Sequence, residues 1–162
     1  MFLRFRKKTK ISELVEGTLA VVEGKVVAKD LLMAPGSKTK CVHYEVMIET
    51  FGTGSRARGR AMWIPEKFDQ RFTGFFVEDE SGKVWVADDI EELIVDGARQ
   101  EAGIIGKSGR ERYMGRVVCE GDQVRVRGMV AKGRKSDPAD VPVLRANEKG
   151  KAEVLVKKHA LD

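Results

Sequence analysis

Cys41 and His43 stand two residues apart. On a strand that spacing puts a thiol and an imidazole on one face, the start of a cysteine nucleophile or of half a metal site. Neither chemistry is complete from the sequence. A nucleophile needs an orienting third group and a metal needs further ligands at matching spacing, and the whole chain has two cysteines, Cys41 and Cys119, and two histidines, His43 and His159. That number also excludes a disulfide framework and a paired zinc-finger pattern. Cysteine is commonly a small buried hydrophobe, so packing is the expectation for Cys41, and no catalytic residue, metal ligand, cofactor or small-molecule substrate is assigned.

Two glycine-bearing segments imitate phosphate sites. Gly52-x-Gly54-x-x-Ala57 begins like a dinucleotide fingerprint, but residues 58–63 read as a strand where that motif needs a helix N-terminus to receive the pyrophosphate. Gly106-Lys107-Ser108 echoes a phosphate-binding loop, yet the residue five before Gly106 is Glu101, so the glycine cradle is incomplete. The acidic run over 78–92 lacks the order of a calcium loop and is expected as a solvated face, opposite Arg125 and Arg127. Arg56, Arg58 and Arg60 recur every second residue, a stripe if this segment is a strand, with Trp63 and Trp85 as stacking platforms. Such a stripe suits single-stranded nucleic acid or a protein partner. It serves equally as edge protection.

The chain has 162 residues, 42% hydrophobic and 34% charged, with a net charge of +5. Arg4, Arg6, Lys7, Lys8 and Lys10 account for all of it, since no acid lies in the first ten residues and the remainder sums to zero. The remainder is segregated, with −7 over residues 78–101 and +6 over 102–162. A basic tail interleaved with Phe2, Leu3 and Phe5 is a candidate contact for an anionic membrane surface or another polyanion. No apolar run exceeds four residues, so a spanning helix is not expected; the expected location is cytoplasmic, extending to the membrane periphery.

The elements that must position these residues follow a period of two. Strands are expected over 19–30, 41–50, 72–78, 83–87, 123–132, 141–146 and 152–158, the third and fourth joined by the hairpin loop Asp79-Glu80-Ser81-Gly82 and the last two forming a terminal hairpin. Residues 91–96 suit a helical turn or a short strand equally, and 52–58, 97–110 and 132–140 read as flexible loops. The fold class is all-β: a small OB-like barrel or β-sandwich with short hairpins and little helix. A basic tail over 1–16, a β-domain over 17–132 and a C-terminal hairpin over 133–162 packed on that domain complete the expected organisation.

Four segments in order resemble the GIDE-type, or "beside a membrane", domain found next to transmembrane helices in mitochondrial membrane ubiquitin ligases and in bacterial proteins. They are Glu23-Gly24-Lys25-Val26; Ala34-Pro35 leading to Cys41-Val42-His43-Tyr44; the run from Phe76 to Val86; and the run from Glu120 to Gly128. The resemblance implies a β-rich, OB-like module that contacts partner proteins without enzymatic activity of its own, and it makes Cys41 and Tyr44 packing residues. The family's flanking hydrophobic helices and the ligases' zinc-binding RING have no counterpart here, so ligase activity is not carried over. The expected function is a noncatalytic protein-interaction or regulatory module. A nucleic-acid binder using Arg56, Arg58, Arg60 and Trp63 is the alternative, and a small enzyme comes third.

Overall fold

A computed structural model describes residues 7–37, 39–52, 59–97 and 103–160, with 103–108 known by their backbone. The chain divides into two compact units, one drawn from Met1–Asp30, Thr73–Arg99 and Cys119–Asp162, the other from Leu31–Phe72 and Gln100–Val118.

The first unit holds β1 (Leu19–Ala28), β6 (Phe75–Asp79), β7 (Gly82–Val86), β8 (Glu92–Gly97), β11 (Gln123–Ala131), β12 (Val143–Arg145) and β13 (Lys151–Lys158). Alternating valines make these strands: on β11, Val124, Val126 and Val130 are buried while Gln123 is exposed and Arg125 and Arg127 are half-buried. β1 pairs with β11 from Leu19 to Lys25 and with β6 from Lys25 to Ala28. The ring β1-β6-β7-β12-β11 thereby closes on itself, a five-stranded OB-like barrel in which only the β7–β12 contact is parallel. Its interior is valine-rich, with Val22 facing Val126, Val26 facing Val77 and Phe75 facing Val86 in register. All six are fully buried, each contributing roughly 1.5–3 kcal/mol of transfer free energy.

The all-β expectation holds: among the described residues the only helical element is a 3-10 turn at Ile11–Glu13. The β6–β7 hairpin forms as read, and residues 91–96 resolve to the strand β8. The expected terminal hairpin does not form. β12 and β13 are not partners; both lie along one edge of β11, β12 against Met129–Ala131 and β13 against Gln123–Arg127. β13 continues outward to pair in parallel with β8. Alternation places a strand but carries no information on which edge it joins. Residues 132–140, read as flexible, are pinned instead: Arg145, 8% exposed, bonds Asp137 at 2.7 Å, Asp89 at 3.3 Å and the Lys132 carbonyl at 3.4 Å.

The second unit contains a two-stranded ladder, β2 (Leu32–Met33) with β3 (Lys40–Cys41), and a four-stranded antiparallel sheet in the order β5-β4-β10-β9, formed by β4 (His43–Gly52), β5 (Met62–Phe72), β9 (Gly103–Ser108) and β10 (Glu111–Val118). β9 lies wholly within 97–110, the segment read as loop, and β10 follows it in a stretch where no strand is expected. β10 escapes the period-two pattern because its residues from Arg112 to Val117 are half-buried on both faces.

Gly24 sits where β1 exchanges one partner for the other. A Cβ there would run into the Glu78 carbonyl, so Gly24→Ala is expected to lower unfolding free energy in urea by roughly 1–3 kcal/mol. Gly52, whose Cβ would meet nothing within 4 Å, is the control, with Gly52→Ala within about 0.5 kcal/mol of the parent.

Candidate interaction surface

The described part of the basic tail lies on the barrel. Thr9 donates its N–H to the Val21 carbonyl at 2.7 Å, Ile11 is buried and donates to Asp79 Oδ2 at 3.0 Å, and Ser12 donates to Ser81 Oγ at 3.0 Å. Lys7, Lys8 and Lys10 are exposed, with the Lys8 ammonium 2.7 Å from Glu23. Arg4 and Arg6 lie outside the described residues, as do Arg56 and Arg58. Arg60 is exposed but falls in the turn after Gly59, because β5 begins only at Met62. The described end of the proposed stripe is therefore not strand. Trp85, read as a stacking platform, is 5% exposed and packs on Phe76, Ala87 and Val143; it is core.

Trp63 is on β5, and the β4–β5 register gives it neighbours that the sequence does not reveal. Ile48 pairs with Lys67, but Glu49 pairs with Pro65 and Phe51 with Trp63, so one extra residue, Glu66, bulges from β5. Proline suits such a site, having no N–H to place in a ladder. The bulge shifts parity by one and brings the odd-numbered Trp63 onto the face that holds the even-numbered Phe68. Along this face β4 contributes Glu45, Met47, Glu49 and Phe51, and β10 contributes Arg112, Met114 and Arg116. Phe51 and Trp63 meet at 5.2 Å between centroids, and the Arg112 guanidinium lies 4.4 Å over the Trp63 ring. Phe68 is 56% exposed and Phe51 37%. Arg112 bonds Glu49 at 2.8 Å and Arg116 approaches Glu45 at 3.6 Å.

Cys41 and His43 are both fully buried. Burial pushes the Cys41 thiol up to about 11 and the His43 imidazole down to about 4, with the nearby Arg116 charge adding to the latter. A protonated thiol and a neutral imidazole are the reverse of an activated pair. Neither His43 ring nitrogen has a hydrogen-bond partner among the described residues; Glu45 Oε1 is 3.7 Å from Nε2, beyond that reach. Among the described residues, the cluster whose atoms could hold a metal ion is Cys119, Asp122 and His159 in the barrel unit. Cys119 and Asp122 are close in sequence, but His159 is a distant third, which hides the cluster from any spacing rule.

Arg125 and Arg127 are not opposite the acidic run. They pair with Glu23 at 3.3 Å and Glu153 at 3.5 Å, and the acidic run instead sends Asp89 to Arg134 and Arg145. No helix among the described residues is long and apolar enough to cross a membrane. Comparisons with protein-family models, curated proteins and solved structures find no match to this chain.

Glu23 joins the tail to the barrel. Burial alone would raise its pKa, but hydrogen bonds from Lys8 and Lys157 overcome this and hold it at about 2, below the ordinary 4.5. A carboxylate depressed in the folded state stabilises above its unfolded pKa and loses that contribution as pH falls. The stability difference between the parent and Glu23→Gln should thus be full above pH 4.5 and disappear between pH 4.5 and 2, as read from urea midpoints across that window.

Proposed function

We propose that the protein is a noncatalytic protein-interaction module whose contact surface is the Trp63–Phe51–Phe68 face of the second unit's sheet. The observation that carries this is the bulge in β5, which gathers three aromatic side chains on one face beside arginines already paired with carboxylates. Aromatic and arginine side chains dominate the energetics of protein interfaces, around an apolar centre with a polar rim. A surface that neutralised phosphates would instead need cations not already matched by acids. Arg112 and Arg116 face Glu49 and Glu45 in register, which favours a protein over a polynucleotide. The resemblance to GIDE-type domains, which implies a module that contacts partner proteins, supports the same reading.

Single-stranded nucleic acid remains the second reading because Arg60 is exposed three residues before Trp63, just ahead of β5, and Trp63 stands beside Phe51. In fluorescence anisotropy with a labelled single-stranded oligonucleotide, the protein-module reading expects no salt-dependent binding, whereas binding lost in Trp63→Ala would establish the nucleic-acid alternative. A photo-crosslinking residue at position 68, introduced in the native host, is expected to capture one protein repeatedly. Arg112→Ala should weaken that complex on the order of tenfold or more, the scale of an interface hot spot. Phe68→Ser should do likewise while leaving thermal unfolding unchanged, since Phe68 is exposed.

Peripheral contact with anionic lipid through Arg4, Arg6, Lys7, Lys8 and Lys10 is part of the same proposal, each base near such a surface contributing about 1 kcal/mol. In sedimentation assays, binding to anionic but not neutral vesicles, lost on deleting residues 1–10, is the expected outcome. Equal binding to both vesicle types would remove the lipid component.

A further inference from the structure

We infer that Cys119, Asp122 and His159 form a divalent transition-metal site, with zinc the ion best matched to its ligands. Their donor atoms, a thiol sulfur, a carboxylate oxygen and an imidazole nitrogen, all lie within 4.8 Å of one another. Cys119 and Asp122 are buried, and His159 is 15% exposed at its side chain. Sulfur and nitrogen donors with one carboxylate are the set that binds zinc at about 2.0–2.3 Å per ligand, in three-ligand sites that leave a fourth position open.

The backbone prepares this convergence. Cys119 to Asp122 is a tight turn in which the Asp122 N–H donates to the Cys119 carbonyl at 3.1 Å, with Gly121 supplying φ +89°. The turn is fastened to β1 by reciprocal bonds, from Gly121 N–H to the Val26 carbonyl at 2.8 Å and from Val26 N–H to the Asp122 carbonyl at 2.9 Å. The Asp122 carboxylate is oriented by two backbone donors, Cys119 N–H on Oδ2 at 2.9 Å and Ala160 N–H on Oδ1 at 2.7 Å. Ligating carboxylates are ordinarily held in this way by a surrounding shell of donors. The Ala160 bond also draws the chain after β13 inward, bringing His159 Nδ1 to 3.5 Å from Asp122 Oδ1.

Ligand atoms around a tetrahedral zinc stand roughly 3.5 Å apart, so closure from separations of up to 4.8 Å needs a movement of up to roughly 1.3 Å. Of the three ligands, His159 lines an open cleft of about 390 Å³, together with Lys25, Gly121, Gln123, Lys158 and Ala160, and the metal would enter from that side. Metal binding expels the Cys119 thiol proton to solvent. Thiolate and carboxylate then neutralise the dication, and the two lysines at the cleft favour an anion or water-derived hydroxide in the fourth position.

Cobalt(II) titration of the full chain tests the assignment. One equivalent should produce a thiolate-to-cobalt charge-transfer band with the intense visible absorption of a tetrahedral site, bleached by one equivalent of zinc. Cys119→Ser should abolish the charge-transfer band, His159→Gln should weaken cobalt affinity at least tenfold, and Cys41→Ser should leave both unchanged. Circular dichroism of each variant establishes that it is folded. Absence of a charge-transfer band in the parent protein overturns the proposal without reference to any variant, as does a band that survives Cys119→Ser.

Discussion

The barrel depends on one strand serving two neighbours. β1 gives its first seven residues to β11 and its last four to β6, with Lys25 shared between the two ladders. A glycine inside a strand often marks the close approach of another backbone, and at Gly24, beside the exchange of partners, the Glu78 carbonyl occupies the space of a Cβ. Closure removes the two edges that an open five-stranded sheet would expose, and it places the Cys119–Asp122 turn against Val26. The bent strand therefore sets both the core and the position of the proposed metal ligands.

The second unit is drawn from the two stretches of chain that interrupt the barrel sequence, after β1 and after β8. Its organisation follows a different rule. One face of β4 carries buried Tyr44 and Val46, whereas the other runs from fully buried His43 to exposed Phe51. On the first face, Gly36 adopts φ +68° and lies so close to the Tyr113 ring that no side chain would fit there. The second face, with its aromatic and methionine side chains, is the one the bulge assembles.

Much of the barrel was legible because half-buried strands advertise themselves through alternation: Val124, Val126 and Val130 on β11, and the β6–β7 hairpin around Ser81-Gly82. Partner choice was not legible, so β12 and β13 read as a hairpin when both belong to β11. The aromatic face of the second unit's sheet was half legible. Trp63 stood out by type, but strict period two sends Trp63 and Phe68 to opposite faces, and only the register shift at Glu49 reunites them. His159 was invisible as a neighbour of Cys119 because that contact depends on where the chain goes after β13.

The arginines show why composition alone misleads about partners. Arg112 with Glu49, Arg116 with Glu45, Arg125 with Glu23 and Arg127 with Glu153 are each ion pairs between residues directly opposite in register. Each such pair contributes little stability, from near zero to about 1 kcal/mol. A strand slipped by one residue would lose the pairs on its own ladder, so their effect falls on register more than on stability. Alternating arginines on a strand are therefore no sign of a polyanion partner when each has its carboxylate across the ladder. Arg112, Arg116, Arg125 and Arg127 are committed internally, and the first ten residues account for the chain's net positive charge.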